Sequence, residues 1–186
     1  FKRLLVARFN LLPELRRRIG YEINMAKAGK EARIILKMNA LQDPAMIDEL
    51  YKASEAGVKI DLIVRGICCL IPNQPYSRNI RITRIVDSFL EHARVWYFHH
   101  GGKPLLFMGS PDWMRRNLYR RIEAVTPILD EDLKQQLIDM LAIQLKDNRK
   151  AGWVDENLNN VLKRNPKEEP VRAQYAFYEY LKGKNK

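Results

Sequence analysis

The sequence feature that most constrains the fold is a strand–helix–strand pattern in the first third of the chain. Arg33 to Met38 (RIILKM) is a short apolar run that predicts a strand, and Val58 to Val64 (VKIDLIV) alternates as a second strand would. Between them, Asp43-Pro44 predicts a helix start, because Asp suits the N-cap and Pro the first turn, and Gly57 predicts its end. Two strands joined by a helix pair in parallel with a right-handed crossover, so the chain is predicted to form an α/β fold.

Apolar spacing and turn residues predict the remaining elements. Residues 12–28 carry apolar side chains every three or four positions, between Asn10 as a candidate cap and Gly29 as a stop, which predicts an amphipathic helix. Further helices are predicted over residues 85–92, 130–148 and 170–181. Further strands are predicted over residues 80–84, 94–98, 104–109 and 122–128. We therefore expect a mixed sheet flanked by helices, with linker composition only at residues 157–170.

The composition is that of a folded domain with a strong positive charge. The 186 residues are 46% hydrophobic, which excludes intrinsic disorder, and no apolar run approaches the roughly 20 residues of a membrane span. Lys and Arg number 33 against 22 Asp and Glu, a net charge of +11. The excess lies in residues 1–40 (ten basic, three acidic) and 103–121 (five against one), whereas residues 127–162 reverse it (four against seven). Such segregation predicts a polyanionic partner.

The kind of polyanion follows from what accompanies the basic residues. Aromatic side chains do not interleave with them as in a base-stacking surface, and no helix-turn-helix, zinc-finger or RNA-binding motif is visible. We therefore expect a partner that presents phosphates rather than bases, and no sequence-specific binding of nucleic acid.

The cysteines and the first residue bear on localisation. Cys68 and Cys69 are adjacent and lack metal-ligand spacing, so they are interpreted as reduced, buried thiols of a cytoplasmic protein, with peripheral membrane association as the alternative. Because the chain starts at Phe1 in a basic and already patterned segment, we expect no signal peptide, and the start without Met predicts a piece of a longer protein.

Arg65-Gly66 is the first candidate site. It directly follows the strand ending IDLIV, and ligands of parallel sheets bind beyond the carboxyl ends of strands. The planar fork of an Arg suits phosphate oxygens, and Gly66 lets the backbone turn close to a ligand. A surface Arg that caps a carbonyl is the alternative interpretation.

His92 is the second candidate. It stands just before an apolar strand, with Arg94 two residues on and therefore on the same strand face. A His in this position is a candidate nucleophile or proton donor, and a structural His is the alternative. His99 and His100 precede two glycines without nearby Cys, Asp or Glu, so they are assigned to a turn and no metal site is predicted.

A third candidate follows the strand that ends at Gly109. Ser110 supplies a hydroxyl, and Asp112 and Glu123 supply carboxylates. Between the carboxylates lies a four-arginine group, which consists of Arg115, Arg116, Arg120 and Arg121. This combination predicts an anion-binding cradle with acidic orienting residues, whereas a turn followed by a solvated basic helix is the alternative.

At these residues the chain closely resembles the C-terminal region of bacterial polyphosphate kinases. The resemblance is carried by LLVARFN (4–10), LIVRGICCLIP (62–72), FLEHARV (89–95) and SPDWMRRNLYRRIE (110–123). It covers essentially the whole chain, through YAFYEYL (175–181), and the RGICCLIP run is highly specific.

The resemblance implies a fold and an activity. The fold is a phospholipase-D-like half domain over residues 1–160, with a linker and C-terminal helical extension over 161–186. The activity is the reversible transfer of the terminal phosphate of ATP to inorganic polyphosphate, through a phosphohistidine in an upstream domain that this chain lacks. The implied partners are ATP or ADP, polyphosphate, that upstream domain and further copies of the full-length protein. Mg²⁺ is the implied cofactor, held mostly outside this piece, and the piece alone is expected to be inactive.

The resemblance also implies roles for individual residues. Arg65 matches the family's phosphate-contacting Arg and His92 its second essential His, so both are expected to bind ATP phosphates, with His92 catalytic. On the basis of charge, not of the resemblance, Arg94, Ser110 and the four-arginine group are expected along the polyphosphate path. His92-Ala93-Arg94 carries Arg where the phospholipase D superfamily has Lys. The alternative functions are a phospholipase-D-like phosphodiesterase and a polyanion-binding module without activity of its own.

Overall fold

The computed structural model describes residues 3–164 and 167–184. The helices of this part of the chain are α1 (Leu11–Lys27), α2 (Pro44–Glu55), α3 (Glu131–Lys146) and α4 (Ala173–Lys184). Its strands are β1 (Leu5–Val6), β2 (Arg33–Met38), β3 (Lys59–Val64), β4 (Ile80–Ile85), β5 (Arg94–Phe98), β6 (Leu105–Gly109), β7 (Ala124–Ile128), β8 (Ala151–Val154) and β9 (Asn160–Leu162). Short 3₁₀ turns occur at Pro75–Ser77 and His100–Gly102, and a π-turn at Arg116–Arg120.

Within the described residues the strands form one nine-stranded mixed sheet in the order β1-β7-β6-β5-β2-β3-β4-β8-β9. Strands β2, β3 and β4 are parallel neighbours, and the other neighbouring strands are antiparallel. Leu36 pairs with Leu62 on one side and with Trp96 on the other, so fully buried residues line the centre of the sheet. The parallel pairing of the first two predicted strands is confirmed.

Helices cover both faces of the sheet. Helices α1 and α2 pack on one face through buried residues such as Leu15 and Leu50, which join the larger apolar cluster with Leu36. Helices α3 and α4 cover the other face, where Leu141 and Ala173 pack with Ile35 and neighbouring strand residues. The predicted α/β fold, a mixed sheet flanked by helices, is therefore confirmed.

The two N-terminal helices begin by different means. The Asp43 carboxylate accepts a hydrogen bond from the Met46 N–H at 3.0 Å and caps α2 as predicted. Asn10 occupies the N-cap position of α1, but its side chain accepts from Val6 N (2.7 Å) and donates to Leu4 O (3.0 Å). Asn10 therefore ties the segment around β1 to the helix instead of capping it.

The predicted helix over residues 85–92 is wrong. Residues 86–93 have no regular structure. Asp87 accepts a hydrogen bond from the backbone N–H of Ser88 at 2.8 Å, and both backbone polar groups of Phe89 bond to the Gln174 side chain. Side chains thus satisfy the backbone groups that a helix would have used.

The linker prediction over residues 157–170 is partly wrong. It contains β9, which pairs with β8, and neither strand is predicted by the sequence pattern. Further along, Val171 N donates a hydrogen bond to Asn148 Oδ1 at 2.9 Å, and Asn148 N donates to Val171 O at 3.0 Å. These two bonds hold the chain against the end of α3. Residues 165–166 of the predicted linker, and residues 1–2 and 185–186 of the predicted domain and extension, lie outside the described residues.

The cysteines lie in different environments. Both thiols are free; Cys68 is buried as predicted, but Cys69 is exposed, so the prediction is wrong for Cys69. Burial raises the pKa of the Cys68 thiol to about 11. No helix of the described residues is long and apolar enough to cross a membrane.

Candidate active site

The sheet brings the predicted site residues to one of its edges. Because β2 and β3 are parallel, their carboxyl ends lie together, and Arg65 follows β3 there. Strand β5 runs antiparallel to β2, so its first residue, Arg94, and the preceding His92 lie at the same edge. Arg94 pairs with Gly109 and Gly109 with Val125, which adds Ser110 and Glu123 to that edge.

Arg65 is half-buried and held by Asn39, the residue after β2. Its Nε donates to Asn39 Oδ1 at 2.9 Å, and its Nη2 donates to the same oxygen. Of the five N–H donors of a guanidinium, the other three have no partner among the described residues and remain for an anion.

Gly66 keeps this turn close to the end of β2. Its N–H donates to Asn39 O at 2.8 Å, and a Cβ at Gly66 would lie 3.0 Å from that carbonyl oxygen. Its own carbonyl accepts from Arg84 Nη2 at 2.8 Å. The sequence predicts that Gly66 lets the backbone approach a ligand closely; in the structure the backbone at Gly66 closely approaches Asn39.

The His92 side chain is exposed and has no hydrogen-bond partner among residues 3–164 and 167–184. Its backbone carbonyl accepts from Arg94 Nη1 at 2.9 Å. The residue before it, Glu91, forms an ion pair with Lys37 of β2, with Nζ and Oε2 at 2.7 Å and the Lys37 side chain only 4% exposed. His92 is thus free to meet a ligand on a segment that is tied to the sheet.

Burial and charge act in opposite directions on this ion pair. Desolvation would raise the pKa of the Glu91 carboxyl, but the Lys37 charge and hydrogen bonds from Lys37, Gln174 and Gln144 outweigh it, so that pKa is lowered. Desolvation lowers the pKa of Lys37, the Glu91 carboxylate raises it, and the nearby Arg65 guanidinium lowers it further, for a net decrease. Lys37 lies on β2, the strand between β3, which precedes Arg65, and β5, which follows His92, and it is ion-paired with the carboxylate beside His92.

Arg94 is engaged by Asp112. Arg94 Nη2 donates to Asp112 Oδ2 at 2.9 Å and Nε to Oδ1 at 3.3 Å, with side-chain exposures of 12% and 5%. Asp112 Oδ1 also accepts from Asn39 N at 2.7 Å and Ala40 N at 3.0 Å. Desolvation would raise the pKa of Asp112, but Arg94 and the two backbone N–H groups lower it overall. Arg94 therefore orients the turn beyond β2 and the carbonyl of His92; a place on the phosphate path stays a prediction.

Ser110 is also bound within the protein. Its hydroxyl donates to Glu123, whose other oxygen accepts from Asn117 Nδ2 at 2.6 Å. The preceding Gly109 is required sterically, because a Cβ there would lie 2.6 Å from Ala124 O. The hydroxyl proton of Ser110 is thus directed at Glu123, and its predicted role on the phosphate path stays a prediction.

The four-arginine group lies in and beside the π-turn. That turn is closed by a hydrogen bond from Arg121 N to Arg116 O at 2.9 Å, and its buried Leu118 packs into the cluster on the α1 and α2 side of the sheet. All four side chains are exposed, and none makes a side-chain hydrogen bond or ion pair to the described residues. Glu91 contacts Gln144 of α3, on the side of the sheet opposite to Leu118.

Several residues of this edge escaped sequence reasoning. Asn39 carries no signal of its own, and Gln174 lies far away in the chain. Lys37 does carry one, because a Lys inside the apolar strand RIILKM must find a buried partner. The described residues contain no group of three or more His, Cys, Asp or Glu side chains that could hold a metal ion.

Comparison with known sequences confirms the resemblance carried by these residues. Residues 4–174 match the family model of the polyphosphate kinase C-terminal domain 2. The chain is 44% identical to the polyphosphate kinase of Vibrio vulnificus, over all of this chain and 27% of that protein. It is 44% identical to the Escherichia coli polyphosphate kinase, over 91% of this chain and 26% of that protein. The chain thus spans about a quarter of the length of the curated relatives it matches.

Solved structures agree. The crystal structure of polyphosphate kinase from Porphyromonas gingivalis superposes with a TM-score of 0.98 at 58% identity, covering 99% of this chain and 28% of that one. NucT from Helicobacter pylori is 12% identical, with a TM-score of 0.53, over 77% of this chain and 94% of that one. Nuc from Salmonella typhimurium, a phospholipase D family member, is also 12% identical, with a TM-score of 0.52, over 76% of this chain and 93% of that one. At that identity they show the fold alone, and the predicted phospholipase-D-like fold is confirmed.

Proposed function

This chain belongs to the polyphosphate kinase family, and we propose that it is the part of such an enzyme whose sheet edge binds the phosphates of ATP while the terminal phosphate is transferred to polyphosphate. The observation that carries the proposal is the placement of Arg65 and His92. They lie at one edge, Arg65 with three free N–H donors and His92 with a free imidazole. Phosphoryl transfer depends mainly on positioning and charge neutralisation, which such groups supply.

Each residue has a distinct part in this proposal. Arg65, fixed by Asn39, holds the β- and γ-phosphates of ATP through its remaining donors. His92 lies across the scissile bond from the attacking group, where it donates a hydrogen bond or a proton to the leaving phosphate. The attacking group is the histidine of an upstream domain, which becomes a phosphohistidine and passes its phosphate to the polyphosphate chain. The reverse sequence of steps returns phosphate to ADP.

In this proposal Mg²⁺ would bind to the phosphates of the substrate and not to the side chains of this chain. The acidic residues of this edge do not fit a metal site, since Asp112 and Glu123 already accept hydrogen bonds from Arg94 and from Ser110 and Asn117. The ion would therefore be held by phosphate oxygens and groups of the rest of the enzyme, and no step proposed for this chain depends on it. The same larger enzyme would supply the upstream domain and the contacts between copies.

The other candidate functions differ in what they require. A phosphodiesterase of the phospholipase D type would need two complete His-x-Lys motifs, but this chain has His92-Ala93-Arg94, and Arg94 is ion-paired with Asp112. A polyanion-binding module is favoured by one observation, the unpaired and exposed four-arginine group. We propose that this group guides polyphosphate to the edge, a role that accompanies the kinase reaction.

The test is ATP-dependent polyphosphate synthesis by variants of the full-length enzyme. His92→Ala and Arg65→Ala should each lose at least about a hundredfold in rate, because a charged contact to the transition state contributes roughly 3 kcal/mol or more. His99→Ala is the matched control: His99 follows β5 at the opposite edge, where its ring lies 3.3 Å from Tyr97 Oη and 3.8 Å from Glu31. Near-normal turnover of either edge variant would contradict the proposal.

A further inference from the structure

The segment that carries His92 is ordered neither by regular secondary structure nor by burial of its apolar side chains. Residues 86–93 form neither helix nor strand. Their apolar side chains Val86, Phe89 and Leu90 are 65%, 65% and 75% exposed, so burial of these side chains does not fix the segment. Apart from a ring contact between Phe89 and Tyr175 of α4, with centroids 6.3 Å apart, the position of His92 is fixed by polar contacts.

Glu91 makes the contacts nearest to His92. Its Oε2 accepts from Lys37 Nζ of β2 at 2.7 Å and from Gln144 Nε2 of α3 at 2.9 Å, and its Oε1 accepts from Gln174 Nε2 of α4 at 3.1 Å. The carboxylate is thus bound from three elements at once, next to the residue proposed to act on the leaving phosphate.

The start of α4 clasps the rest of the segment. Gln174 Oε1 accepts from Phe89 N at 2.9 Å and its Nε2 donates to Phe89 O at 2.8 Å. Arg172, two residues earlier, donates to both oxygens of Asp87 at 2.8 and 2.6 Å, and the Asp87 side chain is 2% exposed. This pairing lowers the pKa of Asp87 to about 2.

The start of α4, with Arg172 and Gln174, is itself bonded to the end of α3 and to the segment that leads into the sheet. The buried Asp147, just after α3, accepts from Ala173 N at 2.7 Å through Oδ2. Its Oδ1 accepts from the backbone N–H groups of residues 149–151, at 2.7 to 2.9 Å, which lead into β8. The first turn of α4 therefore has a fixed place relative to β2 and to Arg65, which follows the neighbouring strand β3.

We propose that Gln174 and Glu91 are positioning residues that hold His92 at the distance from Arg65 that phosphoryl transfer requires, so that the C-terminal helix α4 is a working part of the active site. This rests on the proposed function. Gln174 touches no reacting group and acts through the backbone of residues 89–92. Because hydrogen-bonded supports of this kind fix a reacting side chain within a fraction of an ångström, their loss lowers the rate more than it lowers binding.

The experiment compares three variants of the full-length enzyme. Gln174→Ala removes the donor and acceptor to Phe89 and the donor to Glu91. Gln174→Glu keeps the shape of the side chain but removes the donors and places a second carboxylate beside Glu91. Tyr180→Phe is the matched control, because Tyr180 lies on the same helix and donates to Asp139 of α3 at 2.5 Å, away from the His92 segment.

We expect Gln174→Ala to lower kcat for ATP-dependent synthesis about tenfold, with KM for ATP changed by less than about twofold because Arg65 keeps its support from Asn39. Gln174→Glu should lose at least as much despite its equal size, and Tyr180→Phe should stay near the unmodified enzyme. Thermal unfolding of all three is measured in parallel, and the two glutamine variants should keep their reduced kcat well below their melting temperatures.

The outcomes separate this inference from the proposed function. Full activity of His92→Ala would overturn the proposed function itself. If His92→Ala is inactive while both glutamine variants resemble Tyr180→Phe, the positioning role is wrong. Normal kcat in Gln174→Glu, or a kcat loss in Gln174→Ala that follows only the fraction of unfolded protein, would show that Gln174 serves stability alone and would equally overturn it.

Discussion

Asp112 connects the turn after β2 to Arg94, and its removal should be costly. The carboxylate accepts hydrogen bonds from Arg94 and from the backbone of Asn39 and Ala40 at 2.7 to 3.3 Å. Asp112→Ala would leave two backbone N–H groups without an acceptor and the Arg94 side chain, 12% exposed, without its counter-charge. Breaking a buried ion pair from one side costs about 3–5 kcal/mol, and we expect a loss of unfolding free energy in that range.

Asp112→Asn separates charge from shape. The amide oxygen can still accept from Asn39 N and Ala40 N, but the charge that pairs with Arg94 is gone, so we expect a smaller loss of about 2 kcal/mol. Urea unfolding of the chain, followed by tryptophan fluorescence, measures both. Trp96 and Trp113 are buried, with their ring centroids 5.8 Å apart, and Trp113 is the residue next to Asp112, so their fluorescence reports on this region.

The pH dependence gives a second readout. The pKa of Asp112 is lowered in the folded chain, so its stabilising contribution is complete above the ordinary carboxyl value of 3.8 and is lost as the pH falls through the lowered value. The difference between the unmodified chain and Asp112→Asn should therefore stay constant at neutral and mildly acidic pH and shrink in stronger acid. Asp48→Asn, an exposed carboxylate on α2, is the control. A loss for Asp112→Ala no larger than that of the control would refute this reasoning.

Three further predictions concern the chain itself. Alone, it should neither synthesise polyphosphate from ATP nor acquire covalent phosphate; an acid-labile, base-stable label on His92 after incubation with radiolabelled ATP would contradict this. Changing the four-arginine group to Gln should weaken binding of long-chain polyphosphate and make its salt dependence shallower, because each phosphate contact contributes about 0.7–0.9 to the logarithmic salt slope. An unchanged slope would place the polyphosphate path elsewhere. Finally, a thiol reagent at mildly alkaline pH should modify exposed Cys69 quickly and Cys68 only on unfolding, since the pKa of Cys68 is raised to about 11; equal rates in the folded chain would contradict the burial of Cys68.

The sequence was sufficient to place each candidate site residue beside a strand end, but not to bring these strand ends together. Apolar runs and alternation predict where β2, β3, β5 and β6 end or begin. The antiparallel direction of β5 and β6, which only the structure shows, then puts Arg65, His92 and Ser110 at the same edge. The strand ends are predictable because each of these strands buries several apolar residues.

The contacts that fix the site could not be predicted in the same way. The segment of residues 86–93 takes its conformation from Arg172 and Gln174, which are about 85 positions away in the chain. Strand β9 is exposed at every position, so it shows no alternation that would distinguish it from a linker. For the segment of residues 86–93 and for β9, partners that are distant in the chain set the conformation, and local sequence patterns do not predict such partners.

The contrast between Arg65 and His92 explains why we propose that α4 is part of the active site. Arg65 directly follows a central strand and needs only Asn39, one strand away, to fix its guanidinium. His92 follows an irregular segment, and ordering such a segment costs conformational entropy that its exposed apolar side chains cannot offset. The offset must come from the Glu91, Asp87 and Phe89 contacts, and the long-range bonds to Asp87 and Phe89 come from Arg172 and Gln174 at the start of α4. A change at α4 should therefore reach His92 before it reaches Arg65, and reduce turnover before it reduces ATP binding.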